Sequence, residues 1–147
     1  MPVLVSYPEN CTGCRFCQTI CSLYHEGVVN LEKARLRVER PNIMHDIPLV
    51  CTQCITCGDD CCVDACPEGA IQLQDGVVTV DEERCDGCMV CESACPYGVI
   101  RVEDVAKKCD LCGGDPMCVK FCPTGALVYE EADQGKYSSM LRAMEEC

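Results

Sequence analysis

The chain has 147 residues and a formal net charge of −12 at pH 7, with 24 acidic and 12 basic side chains. This charge disfavours nucleic acid as a partner, because a phosphate backbone is bound mainly through Lys and Arg. Large apolar residues are scarce, with no Trp and two Phe, whereas 19 residues are cysteine. A small chain of this composition needs disulfides or a metal to hold it together.

The cysteines favour metal over disulfides. Their number is odd, and their commonest spacing is two intervening residues. No segment with the features of a signal peptide precedes Cys11, and no run of 18 apolar residues occurs. We therefore expect a cytoplasmic protein of a reducing compartment, without direct membrane insertion.

The first cysteine run follows a short strand predicted at residues 2–6. It has the spacing C-x2-C-x2-C-x3-C and comprises Cys11, Cys14, Cys17 and Cys21. Ser22 stands where later runs have proline, and we predict a short helix that ends at Gly27. Residues 34–40 alternate with the two-residue period of a half-exposed strand. Its arginines are predicted to lie on a solvated sheet face, with the docking of an acidic partner as the alternative.

The second group has more cysteines than one run uses. It comprises Cys51, Cys54, Cys57, Cys61, Cys62 and Cys66. Cys62 and Cys66 fit the last two positions of a run, because the three-residue gap and the following Pro67 recur later. The first two positions stay open between Cys51 with Cys54 and Cys54 with Cys57. We prefer the pair that begins at Cys51.

The next segment predicts a β-hairpin. Residues 70–74 and 77–80 flank Asp75-Gly76, a dipeptide typical of a type I′ turn. A third run then reads Cys85-Asp86-Gly87-Cys88-Met89-Val90-Cys91-Glu92-Ser93-Ala94-Cys95-Pro96. Its spacing, C-x2-C-x2-C-x3-C-P, is that of bacterial ferredoxin clusters. Residues 99–102 are predicted as another short strand.

The fourth run keeps four cysteines but widens one gap to five residues. It comprises Cys109, Cys112, Cys118 and Cys122, followed by Pro123. Lys107 and Lys108 precede it, and we expect two solvated lysines rather than groups that raise a cluster potential. Residues 126–129 are predicted as a strand. Apolar residues at helical spacing from Tyr137 to Met144 predict a helix packed on its own domain.

Iron–sulfur clusters explain the runs better than zinc. Zinc sites use paired C-x2-C motifs and do not need a third cysteine at the same short spacing. In a ferredoxin run three thiolates bind one cluster, and the fourth binds the other cluster of a pair. Reciprocal donation predicts two pairs of clusters. Spacing leaves open whether the inner and outer runs pair separately or the first run pairs with the second.

The motif Cys-Pro-x-Gly is repeated at Cys66, Cys95 and Cys122. Together with the spacing of the cysteines, it resembles the four-cluster ferredoxin subunits of molybdenum and tungsten oxidoreductases over about residues 1–130. Residues 7–15, 21–27 and 47–51 are most similar to the small iron–sulfur subunit of tungsten aldehyde oxidoreductases. The resemblance implies an α+β fold of tandem ferredoxin-like units with short strands, short helices and long cluster-binding loops. It implies that residues 1–45 and 103–130 bind an outer pair of clusters and that residues 46–102 bind an inserted pair. Residues 131–147 are expected to form a helical tail.

The resemblance also implies four [4Fe–4S] clusters with nested ligand sets. The sets are Cys11, Cys14, Cys17 with Cys122; Cys109, Cys112, Cys118 with Cys21; Cys51, Cys54, Cys62 with Cys95; and Cys85, Cys88, Cys91 with Cys66. Cys57 is the alternative to Cys51, and the extra cysteines at 51–62 depart from the family pattern. Cys61 and Cys147 have no assigned role.

The resemblance implies a non-catalytic subunit that relays single electrons for a large tungsten- or molybdenum-pterin subunit, with an aldehyde oxidoreductase preferred. A ferredoxin or a further redox subunit is the other expected partner. No catalytic triad or nucleotide-binding fingerprint appears in the sequence. Alternatives are a free polyferredoxin, a subunit of a benzoyl-CoA reductase, hydrogenase or formate dehydrogenase complex, and a structural or sensing metal module. Self-association of the chain is a further expectation.

Overall fold

A computed structural model describes residues 2–43, 45–57 and 61–145. The strands are β1 Val3–Ser6, β2 Arg37–Asn42, β3 His45–Leu49, β4 Ile71–Gln74, β5 Val77–Val80, β6 Arg101–Val102, β7 Ala106–Lys107 and β8 Leu127–Glu130. The α-helices are α1 Phe16–Glu26, α2 Cys62–Ala65, α3 Val90–Ala94, α4 Met117–Phe121 and α5 Ser138–Glu145. Short 3₁₀ turns occur at Pro8–Asn10, Leu31–Lys33, Leu111–Gly113 and Gln134–Tyr137. The predicted α+β class is confirmed.

The strands form two-stranded antiparallel sheets, paired as β1–β8, β2–β3, β4–β5 and β6–β7. The β1–β8 pair joins the two ends of the cysteine-rich region, with Val3 opposite Glu130 and Ser6 opposite Leu127. This pairing brings the first and fourth runs together. The β2–β3 hairpin crosses the boundary expected at residues 45/46, so the division into outer and inserted units stays a prediction.

Proline sets the length of the short helices. Cys66, Cys95 and Cys122 each precede a proline and have extended backbone angles, with ψ of 114°, 117° and 110°. A residue before proline is sterically pushed out of the α region, so α2, α3 and α4 stop after four or five residues. Ser22 removes this block, and α1 continues for 11 residues to Glu26. Gly27, with φ of 72°, ends α1 as predicted.

The hairpin prediction is also confirmed. Asp75 and Gly76 have φ of 52° and 80° and connect β4 to β5, whose register pairs Ile71 with Val80. The strand predicted at 99–102 is shorter than expected and consists of Arg101–Val102. The strand predicted from residue 34 begins only at Arg37, which leaves Arg35 outside it.

Two groups of buried side chains form the core. The larger group contains β1, β2 and β3 residues together with Leu111, Tyr137 and Met140. The smaller group lies around the β4–β5 hairpin and includes Ile71, Val78 and Val102. Tyr137, in the turn before α5, donates from its hydroxyl to the carbonyl oxygen of Leu4 at 2.7 Å. Met140 of α5 is fully buried in the larger group, so the C-terminal helix packs on its own domain as predicted. Within the described ranges no helix is both long and apolar enough to cross a membrane.

Candidate cluster-binding sites

All four cysteine runs share one feature of the backbone at their start. In each run the residue before the second cysteine has a positive φ. These residues are Gly13 at 74°, Gln53 at 52°, Gly87 at 74° and Leu111 at 59°. Side chains disfavour this conformation, so its occurrence at Gln53 and Leu111 marks a turn that the surrounding structure enforces.

The positive φ before the second cysteine indicates which cysteine begins the second run. Gln53 precedes Cys54, so the repeated turn starts at Cys51. If Cys54 and Cys57 formed the leading pair, Thr56 would occupy the turn position, and Thr56 does not have a positive φ. The fourth run has positive φ at the same two positions as the second, at Leu111 and Cys112. The backbone therefore gives Cys51 the position that Cys11, Cys85 and Cys109 have in their runs.

Hydrogen bonds hold Gln53 in its unfavourable conformation. Its side chain is buried, donates to the carbonyl oxygen of Cys109 at 3.2 Å and accepts from the Val78 backbone N–H at 2.7 Å. The second run is thereby fixed both to the fourth run and to the β4–β5 hairpin. This contact joins the inner and outer parts of the molecule.

Three cavities are lined by cysteines from two different runs. The first is lined by Cys11, Cys14, Cys17 and Cys122. The second is lined by Cys66, Cys85, Cys88 and Cys91. The third is lined by Cys51, Cys54, Cys57, Cys62 and Cys95. In each cavity one cysteine is the last of another run. The first run meets the fourth, and the second run meets the third. This is the nested arrangement and not the one that pairs the first run with the second.

The four expected ligands that remain, Cys21, Cys109, Cys112 and Cys118, form a fourth group. Burial raises the pKa of Cys118, and the charges of Cys109, Cys21 and Cys112 raise it further. Burial raises the pKa of Cys21 to about 11, and Cys112 adds to this shift. The structure thus brings each expected set of four together, with Cys57 as an additional thiol. That these thiols bind iron stays a prediction.

Burial opposes the ionisation of Cys17 and Cys109. Burial raises the pKa of Cys17 and of Cys109 to about 12, so these groups are protonated at neutral pH in the cluster-free chain. A cluster binds thiolates, and its insertion must therefore release protons. The donor set fits a cluster, since four mutually close sulfurs repel as thiolates unless a cationic core lies between them.

Backbone N–H groups point at several of the sulfurs. Arg35 donates to Cys21 at 3.2 Å, Ala70 to Cys66 at 3.4 Å and Ala106 to Cys85 at 3.3 Å. Although burial acts to raise the pKa of Cys122, N–H groups of residues 124, 126 and 127 outweigh it and lower that pKa. Such bonds stabilise thiolate charge, and in a bound cluster they raise the reduction potential.

Lys108 contradicts the expectation of two solvated lysines. It is only 2% exposed, and its Nζ donates to the carbonyl oxygens of Val78 and Cys109, each at 2.8 Å. The β4–β5 hairpin covers it, which the local sequence does not indicate. Lys107 is mostly covered as well, with a side-chain exposure of 17%, and lies 3.6 Å from Glu82.

Arg35 contradicts the expectation of a solvated arginine face, whereas Arg37 and Arg40 remain about half exposed. The Nη1 atom of Arg35 donates to the carbonyl oxygen of Lys108 at 3.0 Å and lies 3.8 Å from Asp110. This position follows from the late start of β2, which leaves Arg35 free to turn towards the fourth run.

The sequence analysis did not assign His25 to a cluster site. Its Nε2 lies 3.6 Å from Cys112 Sγ and 3.6 Å from Asp110, at the edge of the fourth thiol group. Burial lowers the pKa of His25. The extension of α1 beyond Cys21 places it there, and the absence of proline at position 22 is the sequence signal for that extension.

Comparisons with known proteins agree with this geometry. A family model described as a 4Fe-4S dicluster domain matches residues 45–132, and one described as a 4Fe-4S binding domain matches residues 8–24. The aliphatic sulfonate oxidoreductase polyferredoxin-like subunit of Pyrococcus furiosus is 43% identical over 122 residues, which cover 78% of this chain and 68% of the relative.

Two further proteins match most of the chain. The thiosulfate reductase electron transfer subunit PhsB of Salmonella typhi is 30% identical over 149 residues, covering 91% of this chain and 78% of PhsB. A chain of the solved active site complex BamBC of benzoyl coenzyme A reductase, as isolated, is 28% identical with a TM-score of 0.51. That alignment covers 99% of this chain and 88% of the BamBC chain.

Proposed function

The chain belongs to the 4Fe–4S dicluster ferredoxin family, and on that premise we propose that it is the non-catalytic electron-transfer subunit of an oxidoreductase complex. The observation that carries the proposal is the exchange of closing cysteines between runs. Each cluster would share a run with its neighbour, so that electrons pass from one cluster to the next. The relatives named as electron-transfer or polyferredoxin-like subunits support the same role.

The proposal includes four [4Fe–4S] clusters. Their ligands are Cys11, Cys14, Cys17, Cys122; Cys21, Cys109, Cys112, Cys118; Cys51, Cys54, Cys62, Cys95; and Cys66, Cys85, Cys88, Cys91. The repeated turn that begins at Cys51 supports its choice over Cys57. The clusters supply one-electron chemistry when bound. The protein supplies the thiolates, the N–H donors and the burial that set each potential.

The domain organisation that we propose follows the nested order of the ligands. Residues 1–45 with 103–130 form the outer unit, and residues 46–102 form the inner unit. The β1–β8 pairing supports the outer unit, and the separate buried group around Ile71 and Val78 supports the inner one. Residues 131–147 form the tail.

The catalytic partner is proposed to be a large subunit with a tungsten or molybdenum pterin. This rests on the resemblance at residues 7–15, 21–27 and 47–51. Aldehyde oxidation is the activity that this resemblance favours. The relative from Pyrococcus is instead a subunit of an aliphatic sulfonate oxidoreductase, and the BamBC complex belongs to a benzoyl coenzyme A reductase. A sulfonate and an aryl thioester are therefore the substrates to compare with an aldehyde.

The test is anaerobic purification of the tagged chain from its native host, followed by metal analysis of the complex. We expect a much larger polypeptide to copurify with tungsten or molybdenum, and about 16 irons per small chain. With an aldehyde or a sulfonate the complex should reduce a ferredoxin or a viologen dye, and with an aryl thioester it should oxidise a reduced viologen dye. A chain that carries all its iron but has no stable partner would indicate a free polyferredoxin. Zinc in place of iron would indicate a structural or sensing module.

A second experiment separates electron transfer from partner binding. Cys85→Ala should remove one cluster, keep the catalytic subunit bound and slow electron transfer to the external acceptor. The matched control is Cys147→Ala, since Cys147 is outside the proposed ligand sets. Equal electron-transfer rates in both variants would contradict a relay through the third-run cluster.

A further inference from the structure

The cavity of the second run contains one thiol more than a cubane needs. Cys51, Cys54, Cys57, Cys62 and Cys95 all line it, whereas the cavities of the first and third runs are each lined by four cysteines in the described parts of the chain. Cys61 is buried at the start of α2 and does not line this cavity, although its Sγ accepts from Cys54 Sγ at 3.0 Å. The surplus thiol that lines the cavity is Cys57.

Hydrogen bonds hold Cys57 in the cavity. Thr52 is fully buried, and its hydroxyl accepts from the Thr56 N–H at 3.3 Å and from the Thr56 hydroxyl at 3.0 Å. Its carbonyl oxygen accepts from the Ile55 N–H at 3.1 Å. The loop from Cys51 to Cys57 is thus folded back on Thr52, which lies 3.7 Å from Cys57 Sγ through its hydroxyl oxygen.

Cys54 and Cys57 have the same two-residue spacing as Cys51 and Cys54. Tyr97 is tied to this loop by a short hydrogen bond between its hydroxyl and that of Thr56. Without Cys51, the cavity still contains Cys54, Cys57, Cys62 and Cys95, so four thiols remain for one cluster.

We propose that Cys57 is a reserve ligand, whose thiolate can take the iron corner of Cys51 in the second-run cluster. The exchange replaces one iron–sulfur bond by another: Cys57 loses its proton as it binds, and Cys51 gains one as it leaves. The oxidation states of iron and sulfur do not change. This inference rests on the proposed cluster in this cavity, and it allows that cluster to survive the loss of Cys51 as a ligand.

The experiment compares Cys51→Ala, Cys57→Ala and the double variant with the wild type, all purified anaerobically as the full chain. The matched control is Cys11→Ala, which removes the leading cysteine of the first run, where no fifth thiol of the described residues lines the cavity. Clusters are counted by iron analysis and by electron paramagnetic resonance of the reduced protein. The other three clusters report that each variant has folded.

We expect both single variants to keep all four clusters, with a shifted potential or altered signal in Cys51→Ala. The double variant and Cys11→Ala should each lose one cluster. Loss of one cluster in Cys51→Ala, or failure to obtain this variant when Cys11→Ala is obtained, overturns the inference. Loss in Cys57→Ala alone, or retention in the double variant, also overturns it. A wild type without four clusters would instead refute the proposed function.

Discussion

Lys108 donates from Nζ to the carbonyl oxygen of Val78 at 2.8 Å, and this bond fixes the fourth cysteine run to the β4–β5 hairpin. The Oε1 atom of Gln53 lies 3.4 Å from the same ammonium group. In the described part of the chain, no carboxylate forms an ion pair with Lys108. A buried cation is costly unless charge compensates it. The negatively charged clusters proposed for the second and fourth runs would supply that compensation.

Replacing Lys108 with Met should lower the reduction potentials of the clusters bound by the second and fourth runs. A positive charge favours the reduced cluster, which carries one more negative charge. At an effective dielectric constant of about 20, a unit charge about 8 Å away is worth about 2 kcal/mol, or about 90 mV for one electron. We expect shifts of tens of millivolts in an anaerobic redox titration followed by electron paramagnetic resonance.

The matched control for Lys108 is Lys120→Met. Lys120 belongs to the same run, but it is half exposed and pairs with Asp115 at 2.6 Å on the surface. Exposed ion pairs contribute little, so its loss should leave the potentials nearly unchanged. Equal shifts in the two variants would contradict a specific role for the buried ammonium group.

Gly87→Ala should remove the third-run cluster. Gly87 has φ of 74°, and a Cβ atom built there would lie 2.8 Å from the carbonyl oxygen of Asp104, a backbone atom that cannot move aside easily. Gly27→Ala is the control, because Gly27 has φ of 72° but no atom within 4 Å of the added Cβ. Both variants bear a left-handed conformation that costs about 1–2 kcal/mol. If iron analysis shows the same cluster content in both, the steric contact does not matter.

Double substitutions test which cysteines share a cluster. Cys14 and Cys122 line one cavity although they are far apart in sequence. Cys14→Ala with Cys122→Ala should therefore lose one cluster, as each single variant does. The control is Cys118→Ala with Cys122→Ala, two cysteines of one run that serve different clusters, which should lose two. Spin quantitation of the reduced protein counts the clusters that remain. Loss of two clusters from the variant with both Cys14→Ala and Cys122→Ala would exclude the nested arrangement.

Tyr137→Phe should destabilise the protein. It leaves the Leu4 carbonyl oxygen without its 2.7 Å hydrogen bond at a buried position, which costs about 1–3 kcal/mol. For a chain of this size each kcal/mol corresponds to a shift of about 4 °C in the unfolding midpoint. Scanning calorimetry of the cluster-loaded protein at one fixed scan rate should show this loss. Tyr24→Phe is the control, since Tyr24 is 53% exposed, and a comparable loss there would refute the explanation.

The four cysteine runs, their closing prolines and the Asp75-Gly76 turn could be predicted from the sequence because each is local. The spacing of cysteines determines which three thiols can surround one cluster, and proline at the next position ends the short helix. The helix that continues through Ser22 to Gly27 follows from the same local rule. These features determine the iron–sulfur chemistry and the α+β class.

The tertiary structure decided the contacts between distant segments. Pairing of β1 with β8 brings the first and fourth runs together, and the β4–β5 hairpin buries Lys108, which the sequence analysis expected to be solvated. Spacing alone left Cys51 and Cys57 as alternatives. The loop folded around Thr52 places both thiols in one cavity, and the turn at Gln53 distinguishes them. The burial of Lys108 depends on contacts between segments that are far apart in sequence, and a local sequence pattern does not predict these contacts.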